Sequence, residues 1–132
     1  MPQRIVIDTN IWISYFISAR ADYLIKWVLN NDITIFSSDN LYAELYEVLQ
    51  RPKFKLPYPA ADFVNLCRSV CQQVKPTAAF KEAPDPDDNF LFDLCLKSKA
   101  EYLVTADKKL LNYKPPFDLQ IITFNQIRSL LQ

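Results

Sequence analysis

The hydrophobic pattern changes period several times along the chain, and each change marks an element. Arg4 to Asp8 (R-I-V-I-D) is a short apolar run with β-branched residues, the pattern of a strand buried on both faces. Asp8-Thr9-Asn10 ends it, and Ile11 to Ile17 reads as a short helix. Ala21, Leu24, Ile25 and Val28 stand at helical spacing, and Ile33 to Phe36 is a second strand. Ser37-Ser38-Asp39-Asn40 offers N-caps to a helix running to about Gln50. A further helix is expected over about 60–72, with Phe63, Leu66, Cys67, Val70, Cys71 and Val74 on one stripe, then a short strand at Gln73–Lys75. Residues about 87–98 are apolar nearly all round, which predicts a buried helix. Glu101 to Thr105 is a strand, Asp107 to Asn112 a short helix, Gln120 to Thr123 a last strand and Asn125 to Leu131 a last helix. The prolines after Pro2 fall in the three loops this parse leaves, at 52–59, 76–86 and 115–116. Strands alternating with helices predict an α/β protein: a three-layer α/β/α sandwich around a central parallel sheet of about four to five strands, in one domain spanning 1–132.

Composition narrows the chemistry. The chain has no glycine and no histidine. Glycine-rich nucleotide and phosphate loops are therefore excluded, as are Ser-His-Asp triads and histidine metal sites. What remains is carboxylate, lysine, hydroxyl and cysteine chemistry. Three cysteines without a C-x-x-C argue against a disulfide framework and for a reducing compartment; Cys67 and Cys71 read as small buried hydrophobes. No apolar run approaches the ~18 residues of a membrane span, and the N-terminus leads straight into a strand, so a soluble cytoplasmic protein is expected. Lys+Arg and Asp+Glu are each 15, so no basic nucleic-acid footprint shows globally. Locally the balance is uneven: seven acids lie between Glu82 and Asp107, against Lys97 and Lys99.

Open α/β sheets form their sites beyond the carboxyl ends of the strands. Asp8 closes the first strand, Asp107 follows the Glu101–Thr105 strand, and Asp88 opens the helix leading into that strand. An acid at a helix start also complements the helix dipole, which is the ordinary account of Asp88. Glu44 stands at the i+3 place within the stripe Leu41, Leu45, Val48, where a charge needs a salt bridge, a snorkelled position or a metal. Four converging carboxylates repel one another, and protonation or a cation relieves that. Oxygen-only ligands suit Mg²⁺ or Mn²⁺, and the implied chemistry is metal-assisted attack of water on a phosphodiester. Spacing leaves Asp87 and Asp88 both open; Asp88 shares a face with Leu91 and Cys95 and is preferred. Asp93, four residues before Lys97, reads as an exposed i,i+4 pair, Glu47 as solvated, and Asp85 and Asp87 as loop-shaping.

These pieces resemble the PIN-domain family of metal-dependent ribonucleases. The matching stretches are I-V-I-D-T-N at 5–10, the helix Asp39 to Arg51 carrying Glu44, D-P-D-D-N-F-L-F-D-L-C at 85–95 and Y-L-V-T-A-D-K-K-L-L at 102–111. The likeness runs over essentially the whole chain and is nearest the bacterial toxins of toxin–antitoxin systems. The resemblance implies that Asp8, Glu44, Asp88 and Asp107 are the catalytic metal ligands, and that Asn10 and Thr105 orient ligands or phosphate. Ala106 stands where a variant of the family motif has glycine. The resemblance also implies an RNA substrate, an antitoxin partner and a homodimer. Lys108, Lys109 and Lys114 beside Asp107, and Arg51, Lys53 and Lys55 after the Glu44 helix, are candidates for phosphate contacts. Trp12, Tyr42 and Tyr46 are candidates for stacking on bases or for core.

Two rivals remain. A receiver-like phosphotransfer domain expects paired acids after the first strand, where Asp8 stands alone, and a D-x-D phosphatase needs an acid where Asn10 stands. A PIN fold kept as a non-catalytic scaffold would bind no divalent cation.

Overall fold

The computed structural model describes residues 2–132. Five strands form one parallel sheet: β1 (Gln3–Ile7), β2 (Ile33–Ser37), β3 (Cys71–Gln73), β4 (Tyr102–Val104) and β5 (Gln120–Ile122), in the order β3-β2-β1-β4-β5. The helices are α1 (Thr9–Ile17), α2 (Ala21–Asn30), α3 (Asp39–Leu49), α4 (Ala60–Val70), α5 (Asn89–Ser98), α6 (Lys108–Leu111) and α7 (Phe124–Leu130), with a 3₁₀ turn over Pro86–Asp88 before α5. The architecture is the expected α/β/α sandwich.

Parallel strands must be joined by crossovers, and helices then cover both faces of the sheet. The unbroken apolar run of β1 follows from this: Ile5, Val6 and Ile7 are all fully buried. The crossovers send the chain outward from β1 through β2 to β3, then back across to β4 and outward to β5. Helices α1 to α4 pack on one another, while α5 lies on β1 and β2. Strand order thus reverses between β1 and β4. In a doubly wound sheet such a switch point opens a crevice at the carboxyl ends of the strands. Asp8 and Thr105, the residues after β1 and β4, sit at its floor, still in the ladder: Asp8 N–H donates to Val104 O (2.9 Å) and Thr105 N–H to Ile122 O (3.0 Å).

Three readings of the sequence are corrected. The helical stripe through Cys71 stops at Val70, and β3 begins at Cys71 rather than Gln73, because Cys71 to Gln73 pair with Ile35 to Ser37 of β2. Cys67 is buried, Cys71 is half-buried, and their sulfurs lie 3.9 Å apart as free thiols. Asp93 is not exposed and makes no pair with Lys97. It is buried, and its Oδ1 accepts from the backbone N–H groups of Ala79 (3.0 Å) and Phe80 (2.7 Å). The loop over 76–84 folds onto α5, anchored further by Ala83 N–H on Asn89 Oδ1 (2.9 Å) and by Phe80 stacked on Phe92 (4.8 Å). Among the described residues no helix is long and apolar enough to cross a membrane.

Candidate active site

Four acids from four elements meet at the switch point. Asp8 follows β1 and precedes α1, Glu44 lies midway along α3, Asp88 ends the 3₁₀ turn before α5, and Asp107 precedes α6. Three of the four therefore stand at helix N-termini, where the partial positive charge favours a carboxylate. They use that position differently. Asp107 caps α6, its Oδ1 accepting from Lys109 N–H at 2.9 Å. Asp8 and Asp88 occupy N-cap positions but make no side-chain cap bond, which leaves both carboxylates to the crevice.

The acids sense one another. Burial, with Glu44 adding to it, lifts Asp8 from 3.8 to about 6, even though hydrogen bonds from Thr105 and Thr9 pull the other way. Asp88 is lifted to about 7, first by burial and then by the charges of Asp8, Asp85, Asp107 and Glu44. Asp88 thus lies close enough to Asp8, Glu44 and Asp107 to feel their charges, and Asp87 lines the adjoining cleft beside it. Asp85 does shape its loop, accepting from Asp87 N–H at 2.9 Å, and its charge also bears on Asp88.

A hydroxyl–amide network ties the floor together. Thr105 is fully buried, and its hydroxyl donates to Asp8 Oδ2 at 2.8 Å. Thr105 Oγ1 in turn accepts from Asp107 N–H (3.1 Å) and from Asn10 Nδ2 (3.3 Å). Asn10 Oδ1 accepts from Ala106 N–H at 3.4 Å, so Asn10 spans the β4–α6 loop instead of capping α1. Sequence reasoning did not single out Thr9. It is buried, and its hydroxyl lies 3.3 Å from Asp8 Oδ1 and 2.5 Å from Glu44 Oε1. The one signal for it in the sequence is a hydroxyl placed directly after a strand-end acid. Glu44 is half-buried, and Thr9, rather than a cation, is its recorded partner.

Lys108 and Lys109 are exposed beside Asp107. An open cleft of about 860 Å³ between α3 and the start of α5 is lined by Glu44, Arg51, Asp88 and Phe90, among others. Arg51 pairs with Glu47 at 3.9 Å, both side chains largely solvated. Lys53, Lys55 and Lys114 are exposed, and no contact of theirs with the crevice is recorded. Trp12 and Tyr42 are core, while Tyr46 is 43% exposed.

The donor set fits a hard divalent cation: every donor is oxygen, and neighbouring carboxylates gain from a shared positive charge. As the side chains stand, no group of three or more acids or cysteines among the described residues is arranged to hold an ion. Hydrogen bonds orient the acids one by one: Thr9 on Glu44, Thr105 on Asp8 and the first turn of α6 on Asp107.

Fold and site together define a doubly wound α/β domain with a carboxylate crevice at its switch point. The PIN domain family model matches residues 4–109, and the chain belongs to the PIN domain family. The match runs from β1 into α6, so all four acids lie inside it. PIN domains are in general nucleases. No curated protein matches the chain with significance.

Proposed function

We propose that this protein is a Mg²⁺- or Mn²⁺-dependent endoribonuclease, with Asp8, Glu44, Asp88 and Asp107 as its metal ligands. The observation that carries this reading is the gathering of four acids at the switch point, close enough that Glu44 raises Asp8 and that Asp8, Asp107 and Glu44 raise Asp88, in a family of nucleases. Asp8 and Asp107 would hold the principal cation, with Glu44 and Asp88 completing the site. Such a cation, when bound, would supply the positive charge and water activation that phosphodiester hydrolysis needs. Thr105 and Asn10 keep Asp8 and the Asp107 loop in register across the crevice. The exposed ammonium groups of Lys108 and Lys109 and the guanidinium of Arg51 offer contacts for substrate phosphates around an otherwise acidic pit. The likeness of the motifs to bacterial toxins supports a place as the toxin of a toxin–antitoxin pair. In that setting it acts on RNA in the cytoplasm as a homodimer held in check by an antitoxin.

A second reading, a PIN fold kept as a scaffold, draws on the absence of a ready three-acid arrangement among the described residues. One experiment separates the two. Purified protein is offered RNA with Mg²⁺, with Mn²⁺ and with excess chelator, beside Asp8→Asn. The nuclease reading expects cation-dependent cleavage that falls by about 100-fold or more in Asp8→Asn, equivalent to about 3 kcal/mol of transition-state stabilisation. Cleavage that survives both chelator and substitution overturns it.

A further inference from the structure

The Thr9 hydroxyl lies within hydrogen-bond reach of the carboxylates of two of the four acids, and those two belong to different elements. Asp8 ends β1 and Glu44 lies on α3, 35 residues beyond Thr9. Thr9 opens α1, which packs against α3, and its side chain is only 3% exposed. A threonine hydroxyl carries one proton and two lone pairs. It can donate to one carboxylate at a time, and the closer acceptor is Glu44 Oε1 at 2.5 Å, against 3.3 Å for Asp8 Oδ1. Among the described residues no basic side chain pairs with Glu44. Without Thr9, a flexible glutamate would stand at the crevice rim beside like charges, with three torsions free to swing it into the open cleft that it lines.

We propose that Thr9 is a positioning residue: its hydroxyl holds the Glu44 carboxylate beside Asp8 and so sets how tightly the crevice takes a divalent cation. The inference rests on the metal-site reading above and concerns a residue that reading leaves without a role. A partner that orients a ligand is worth about 10- to 100-fold in metal affinity. Thr9 can supply such an effect because it is itself locked: β-branched at the first turn of a helix, with few rotamers open to it.

The test is Mn²⁺ binding by calorimetry on the full chain, which reads the site without requiring cleavage. Thr9→Val keeps the shape and removes the hydroxyl; its Mn²⁺ affinity is expected to fall about 10-fold or more, while Thr9→Ser binds like wild type. Acting through Glu44, the effect disappears in a Glu44→Gln background, so the double variant binds no more weakly than Glu44→Gln alone. Thermal melts accompany each variant, and Thr9→Ala takes the place of Thr9→Val in the cycle if the valine does not fold. Unchanged affinity in Thr9→Val, a loss in Thr9→Ser as large as in valine, or strictly additive losses each overturn the inference. Wild-type protein that takes up no Mn²⁺ overturns the metal-site reading and this inference with it. Wild-type binding with an unaffected valine variant overturns this inference alone.

Discussion

Two residues of this glycine-free chain hold a backbone conformation that glycine would adopt at no steric cost. Ala19 and Lys99 have φ of 59° and 54°, in the left-handed region. Lys99 terminates α5 there, its N–H closing back on Leu96 O (3.3 Å) and the next N–H on Cys95 O (3.0 Å). A Cβ in that region costs about 1 kcal/mol. Lys99→Gly is therefore expected to raise the thermal midpoint by a few degrees, whereas Lys99→Ala, which keeps the Cβ, is not. Paired melts check this, and equal midpoints for glycine and alanine would show that the cap carries no strain. The acids behave differently as objects of sequence reading. Asp8 and Asp107 were legible because strand ends predict where a crevice opens. Glu44 was legible because a charge inside an apolar stripe needs a partner. That the partner is the Thr9 hydroxyl was not legible, since nothing in local spacing brings residues 9 and 44 together.

At the scale of elements, α5 shows where periodicity succeeds and where it fails. Its all-round apolar character correctly marks it as buried, yet Asp93 within it reads as a surface residue paired with Lys97. The pairing rule assumes that a charged residue on a helix faces water. Here the 76–84 loop lies on that face, and two of its N–H groups need an acceptor. Asp93→Ala leaves both donors unpaired and is expected to destabilise the protein by about 2–3 kcal/mol, as read from urea unfolding. Limited proteolysis should then cut within 76–84 in the variant before the wild type. Asp93→Asn, which retains a carbonyl oxygen at the same place, should lose less. A fully stable alanine variant would show that the loop is held by Phe80 and Asn89 alone. The misplaced start of β3 has a related cause. Cys71 suits the end of an amphipathic helix as well as the start of an edge strand, and its pairing with Ile35 across the sheet decides between them.

For the molecule as a whole, the acidic crevice sets a pH dependence with a definite sign. Asp8 titrates near 6 and Asp88 near 7 in the folded state, against 3.8 for each in an unfolded chain. Between those values the folded state binds more protons than the unfolded one, so stability falls as pH rises. The contribution of these two groups is thus fully present below about pH 4, fades between about 4 and 7, and is gone above. For deeply buried Asp8, a shift of about two units corresponds to about 3 kcal/mol; the more exposed Asp88 contributes less than its shift alone implies. Urea midpoints of cation-free protein across pH 4–8 should show this decline. The paired Asp8→Asn and Asp88→Asn substitutions should flatten it, and Mg²⁺ at neutral pH should restore part of the loss. A stability that climbs with pH in cation-free protein would contradict the crowding of these acids. The sequence by itself determined the order of strands and helices, the burial of β1, the exclusion of histidine and glycine-loop chemistry, and the acids worth suspecting. All of these follow from local pattern and from residue types present or missing. Only the tertiary structure decided that strand order reverses between β1 and β4, that Asp88 comes within reach of the charges of Asp8, Glu44 and Asp107, and that Asp93 serves a loop. It also decided that Thr9 joins Asp8 to Glu44. Those outcomes depend on which distant segments share a boundary, and that is settled by packing, which favours arrangements that give buried donors and charges a partner.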